Sequence, residues 1–167
     1  MASNASDVYR FGDLLALARR SWVQQVRTRV DDAGFPGYRR ADTILLRLLS
    51  RGPMAIGRLG EAMGVTRQAS RQLADGLIAR GYAIFDADPR DARRRLVVLT
   101  PYGARYARAV TEAQDALNDA IRGGVSPQDL FVADTVLRSV FSTVEARRRV
   151  DDWIAPPACS WAPEGSS

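Results

Sequence analysis

Two clusters of polar side chains carry the chemistry this sequence offers. The first is Thr66, Arg67, Gln68, Ser70, Arg71 and Gln72; the second is Arg90, Asp91, Arg93, Arg94 and Arg95. Their chemistry is charge and hydrogen bonding, with no bond making. An arginine fork meets phosphate, or guanine O6 and N7, with two parallel hydrogen bonds, and glutamine meets adenine N6 and N7 the same way. The chain has no histidine and a single cysteine, Cys159. A Cys/His zinc site, a serine or cysteine nucleophile with a histidine base, and an internal disulfide are therefore excluded. Scattered acids such as Glu61, Asp86 and Asp88 have no partner suited to acid–base work, so an enzyme is not expected. Neither a cofactor nor a metal is expected.

Composition agrees with this reading. The 167 residues carry a net charge of +5, and all 24 basic residues are arginine. A GC-rich genome would also favour arginine codons, so the distribution says more than the total. Arg58 to Arg95 holds eight arginines against five acids, whereas the tail from Asp151 onward holds acids and no base. No apolar run approaches the ~18 residues of a membrane span, and the polar start MASNASD is not a signal peptide. A soluble cytoplasmic protein without a membrane partner is expected.

The elements that must position these clusters can be read from periodicity. Gly57–Met63 reads as a short helix and Gly64–Val65 as a turn. Thr66 is a good N-cap for the next helix, which Gly81 ends. On that helix Ala69, Leu73 and Leu77 are expected to face inward. Arg67, Gln68, Arg71 and Asp75 face outward, with Ser70 and Gln72 at the margins. Tyr82–Asp86 and Arg94–Leu99 have strand composition around a polar tip, Ala87–Arg93, too short to have a core. There Asp88 and Asp91 suit the turn and brace the arginines. Met54–Ile56 can pair as a minor strand. Helix, turn, helix and arginine-tipped ribbon make a winged helix-turn-helix, so the reading points to duplex DNA.

Longer helices flank this unit. Val8–Val30 carries Leu14, Leu15, Ala18, Trp22 and Val26 on one stripe, and Arg39–Arg51 carries Ile44, Leu45, Leu48 and Leu49. After Thr100–Pro101, Tyr102, Tyr106, Val110, Ala113, Leu117 and Ile121 recur at steps of three and four up to Gly123–Gly124. Ser126–Asp129 is a capping start for a last helix bearing Leu130, Ala133, Leu137, Val140, Phe141 and Val144. The expected fold is mainly α with a small β-wing. Residues 1–36 form an N-terminal dimerisation helix and 37–100 the winged domain. Residues 101–155 form C-terminal dimerisation helices, and 156–167 a flexible tail.

At the level of motifs, Leu59 to Gly103 resembles the MarR family of bacterial transcription regulators. The wing is similar to that family's D-x-R…V-x-L-T-x-x-G signature through Asp91, Arg93, Val97, Leu99, Thr100 and Gly103. The helix resembles its recognition helix through Thr66-Arg67-Gln68-Ala69, Leu73, Asp75 and Leu77, with the exit Ala79-Arg80-Gly81-Tyr82. With the flanking helices the resemblance covers about Val8 to Val150. It implies an obligate homodimer, a roughly palindromic operator, and repression relieved by a small ligand. It also implies that Arg93 enters the minor groove, that Asp91 orients it, and that Thr66–Gln72 reads the major groove. The chain departs from the pattern at Gln72, where many members have arginine, with Arg71 beside it. Gly76 is a second departure and costs the helix about 1 kcal/mol of propensity.

The resemblance places an effector pocket between the dimerisation helices and the winged domain. Trp22, Tyr38, Arg39, Asp42 and Tyr106 are its candidate lining, suited to a small aromatic or anionic effector. Trp22 on an apolar stripe equally suits plain core or dimer interface. Cys159 sits in a tail with no cation or helix N-terminus to lower its thiol pKa, so a redox role is not expected. The alternative to a DNA-reading regulator is a winged-helix module that docks protein without specific DNA readout.

Overall fold

Helices dominate, with one small sheet among the described residues. The computed structural model describes residues 10–141, the side chain of Ala92 excepted. The elements are α1 (Phe11–Asp32), α2 (Arg40–Leu49), β1 (Met54–Ala55), α3 (Ile56–Met63), α4 (Arg67–Ile78), β2 (Ala83–Asp88), β3 (Asp91–Leu99), α5 (Pro101–Gly124) and α6 (Pro127–Ser139). The described residues fall into two compact units, divided between Asp115 and Ala116. The expected tail, Val144 and Cys159 lie outside the described residues.

In the first unit the core forms where α2, α3, α4 and the sheet converge. Leu45, Leu46, Leu48 and Leu49 of α2, Ile56 and Leu59 of α3, and Ala74 and Leu77 of α4 are buried there. The sheet is antiparallel with order β1-β3-β2, so β3 is central and its Val97 is fully buried. Val97 stands opposite Met54 on one side and Phe85 on the other, which makes Met54–Ala55 the minor strand foreseen from sequence.

The ends of α4 follow from local chemistry. The Thr66 hydroxyl accepts the Ala69 N–H at 3.1 Å, as an N-cap does. At the other end Gly81 adopts φ +74°, its N–H donates to Ile78 O, and the Tyr82 N–H donates to Leu77 O. This pair of bonds is the Schellman closure, which favours glycine at the left-handed position. The inward face of α4 is rotated from the one expected. Ser70, Ala74 and Leu77 are buried, while Ala69 and Leu73 are only half-buried. The small pair Gly60 and Ser70 permits a close α3–α4 approach; a Cβ added at Gly60 would lie 3.4 Å from the Ser70 Cβ.

An aromatic cluster sets the start of α5. Phe35, Tyr82, Tyr102 and Tyr106 pack together, with Tyr82 stacked on Tyr106 at 4.1 Å between ring centroids. Thr100 caps this turn, taking the Gly103 N–H and donating its hydroxyl to Gly81 O. Gly103 touches the Tyr82 backbone so closely that an added Cβ would stand 1.7 Å from the Tyr82 carbonyl oxygen. Only glycine fits there without moving the chain.

In the second unit Ser126 caps α6, accepting the Asp129 N–H at 3.1 Å and donating its hydroxyl to the Asp129 carboxylate. No described residue of α6 is buried, and Phe131, Val132, Val136 and Leu137 are exposed.

Candidate nucleic-acid interface

The wing hairpin is longer than its composition suggests. Its strands run to Asp88 and from Asp91, where the sequence reading ended them at Asp86 and began again at Arg94. Backbone pairing needs no apolar side chain, so the polar ribbon pairs further than a hydrophobicity pattern predicts. Near the tip Ala87 pairs with Arg95 but Asp88 pairs with Asp91, so residues 92–94 of β3 bulge out of register. A bulge re-aims side chains and sharpens the local twist. Arg93 and Arg94 stand on it.

Two aspartates shape this tip through the backbone. Asp88 Oδ1 accepts the Arg90 N–H and Asp91 Oδ1 accepts the Arg93 N–H, each at 3.0 Å. These are local turns in which a carboxylate takes a main-chain donor two residues on. Asp91 therefore positions Arg93 by fixing its backbone, and the Arg93 guanidinium makes no ion pair among the described residues.

The two clusters share one groove of about 690 Å³. Arg67, Gln68 and Arg71 of α4 line it together with Arg93, Arg94 and Arg95 of β3. Arg58 and Glu61 of α3 and Phe85 of β2 complete the wall. Arg58 was not singled out by sequence; its signal was helical spacing to Glu61, with which it pairs at 3.2 Å. Phe85 was also missed. It lies under Arg71, whose guanidinium carbon is 4.6 Å from the ring centroid.

The arginines of the groove differ in what holds them. Arg71 Nε donates to both Asp75 oxygens at 3.0 Å within α4, while its seat on Phe85 bridges α4 and the wing. Arg67, Arg93, Arg94 and Arg95 are exposed and make no ion pair among the described residues. Gln68 and Gln72 are exposed as well. Ser70 is a correction: it is fully buried, and its hydroxyl donates to Ile56 O at 2.9 Å. It locks α3 to α4 and offers nothing to a ligand. Its spacing to Ala74 and Leu77 was the sequence signal for this.

The candidate pocket residues differ in their surroundings. Asp42 and Tyr106 are buried, and they belong to one closed network. Asp42 accepts two hydrogen bonds from Arg80 at 2.8 Å each, one from the Tyr106 hydroxyl at 2.7 Å, and the Arg39 N–H at 3.1 Å. No buried side-chain polar atom among the described residues lacks a partner. A ligand would have to break this network to use it. Burial, and then donation to the Asp42 carboxylate, hold the Tyr106 phenol far above the ordinary tyrosine range. The hydrogen bonds to Asp42 likewise raise the Arg80 guanidinium pKa. Tyr38 is buried with its hydroxyl 2.6 Å from the Thr43 hydroxyl, and Trp22 is half-buried on α1. The exposed Arg39 guanidinium reaches α4, where a Cβ added at Gly76 would lie 3.5 Å from its Nη1.

Among the described residues no cluster of His, Cys, Asp and Glu is arranged to hold a metal ion. No described helix is long and apolar enough to cross a membrane.

A model of the MarR family matches residues 37–94. An uncharacterized protein of Mycobacterium tuberculosis is 29% identical over 112 residues, which is 67% of this chain and 78% of that one. A probable transcriptional regulator from Pseudomonas aeruginosa has a similar fold, with a TM-score of 0.62 at 22% identity, covering 78% of this chain and 96% of its own. BpsR of Bordetella bronchiseptica, whose DNA binding is regulated by 6-hydroxynicotinic acid, gives a TM-score of 0.61 at 22% identity. That match covers 80% of this chain and 94% of BpsR. At these identities the two structures share the fold.

Proposed function

We propose, because the chain belongs to the MarR family of winged helix-turn-helix DNA-binding transcriptional regulators, that it is a homodimeric repressor released from a palindromic operator by a small ligand. Regulators of this family are not enzymes. The observation that carries the reading is the shared groove: Arg67 in the first turn of α4 and Arg93, Arg94 and Arg95 on the wing stand side by side with no ion pair among the described residues. In this arrangement α4 enters the major groove, where Arg67 and Gln68 meet base edges and Arg71 reads from its seat on Phe85. Arg93 reaches the adjacent minor groove, and Arg90, Arg94 and Arg95 meet phosphates. Thr66 and Asp91 hold these readers in place through the backbone.

Two further observations support the homodimer. α1 exposes Phe11, Leu14 and Leu17, and α6 exposes Phe131, Val132 and Leu137. A second copy would cover such faces, and a two-fold pair matches a palindrome. The regulation of BpsR by 6-hydroxynicotinic acid supports ligand control.

The test is fluorescence anisotropy with duplexes tiled across the DNA upstream of the protein's own gene, in excess non-specific competitor. One tile is expected to bind saturably with two chains per site, as counted by sedimentation. Equal affinity for every tile and for random duplex would contradict sequence-specific reading.

A further inference from the structure

Among the described residues that line the groove between α4 and the wing, Phe85 is the one aromatic side chain. Its place on β2 fixes where the ring goes. The flanking Ile84 and Asp86 are exposed, and alternation along the strand turns Phe85 toward α4. Phe85 stands opposite Val97, which is fully buried on the central strand. The ring itself is only half-buried, so it emerges from the core and forms part of the groove wall. An aliphatic side chain would close this edge of the core as well, but it has no π face to offer a cation.

Arg71 occupies that face. Its guanidinium carbon lies 4.6 Å from the ring centroid, and its Nε donates to both Asp75 oxygens at 3.0 Å. Asp75 is one turn along α4 and Phe85 is on the wing, so the guanidinium is held from two directions. The hold uses Nε and one side of the plane. The terminal nitrogens Nη1 and Nη2 make no hydrogen bond among the described residues. They form an end-on fork, and guanine presents O6 and N7 as a matching pair of acceptors. Adenine has an N6 donor where guanine has O6, which sets one N–H of the fork against another donor. A fork fixed in orientation cannot swivel to make the best of the wrong base, and it loses less side-chain entropy on binding the right one.

We propose that Phe85 is a positioning residue that sets base specificity through Arg71. Its ring and the Asp75 carboxylate together hold the guanidinium end-on, so that the two terminal nitrogens select guanine at one operator base pair. Phe85 itself touches no base. The seat belongs to the fold of the chain; its use in readout rests on the DNA-regulator reading above.

The test is competition binding of the full-length protein to the operator duplex found by tiling and to its single-base-pair substitutions, with thermal melts in parallel. The natural sequence is expected to favour guanine at one position by about tenfold or more, and Arg71→Ala to lose that preference. Phe85→Leu is expected to shrink the preference there at least about threefold, while preferences at other positions stay as they were. Phe85→Tyr, which restores a π face, is expected to keep it. Asp75→Ala, at an exposed position of α4, is expected to shrink it as Phe85→Leu does. A ring that serves packing alone would instead weaken every duplex alike, in step with the melting temperature, and that result overturns the proposal. An unchanged guanine preference in Phe85→Leu or in Asp75→Ala overturns it too, as does the absence of any guanine preference that depends on Arg71. Should Phe85→Leu not fold, Phe85→Met takes its place, since methionine also fills the space without an aromatic face. A protein that binds no duplex specifically overturns the regulator reading, and this role of Phe85 with it. An operator that is bound specifically, with its guanine choice intact in Phe85→Leu, overturns the role of Phe85 alone.

Discussion

The two ends of α4 use the same side chain in opposite ways. At the C-terminal end Arg80 is largely buried, paired through both nitrogens with Asp42, and set over Tyr82 at 5.2 Å. At the N-terminal end Arg67 is exposed with no ion pair among the described residues, in the groove it shares with Arg93. An arginine already satisfied inside the fold cannot meet DNA without leaving a buried carboxylate unpaired. An arginine held in water loses little and releases counterions when phosphate arrives. Burial and pairing thus make Arg80 a fastener and leave Arg67 to serve as a reader in the proposed function. Arg71 stands between them, exposed yet held by Asp75 and Phe85.

Substitutions at the two ends should separate stability from affinity. Arg80→Met is expected to have the largest effect, about 3 kcal/mol off unfolding free energy in a urea titration, because it strands the Asp42 carboxylate. Adding Asp42→Leu should recover most of that loss. If the single variant melts like the natural sequence, the fastener assignment fails. Arg67→Ala should instead leave stability within about 0.5 kcal/mol and cost about 1–3 kcal/mol of discrimination at one operator base pair. Uniform weakening across all sequences would make Arg67 a phosphate contact.

Smaller effects sharpen the same contrast. Tyr106→Phe removes one donor to Asp42 and should cost about 1.5 kcal/mol near neutral pH. Its pH dependence has a definite sign. The native state keeps the Tyr106 proton where the unfolded chain would release it, so the phenol's contribution is complete below the ordinary tyrosine value of 10.0 and falls as pH rises past it. Thermal melts above that pH should therefore decline less steeply for Tyr106→Phe than for the natural sequence; parallel declines would remove Tyr106 from the account. Gly76→Ala is expected to stabilise α4 by at most about 1 kcal/mol, since an added Cβ meets nothing closer than the Arg39 guanidinium at ordinary contact distance. A lower melting temperature would mean that the glycine serves a need the static contacts do not display.

Local features were legible in the sequence because their signals are local. The Thr66 cap, the Gly81 closure and the pairing of Met54–Ala55 each follow from a few neighbouring residues. The wing was read too short because its outer pairs are polar, and the rotation of α4 was misjudged because Ser70 looks like a surface residue. The Asp42 network was read as a pocket because its partners lie 38 and 64 residues away, a separation no periodicity reports. Gly103 shows the reverse. The signature contains it, but only the contact with Tyr82 gives the reason.

The most direct test of the DNA-reading assignment is a salt titration of operator affinity for Arg93→Ala beside the natural sequence, with thermal melts in parallel. The account predicts weaker binding, a salt slope shallower by about one unit, and an unchanged melting temperature. Equal affinity and equal slope would contradict it, and would place the reading surface somewhere other than the groove between α4 and the wing.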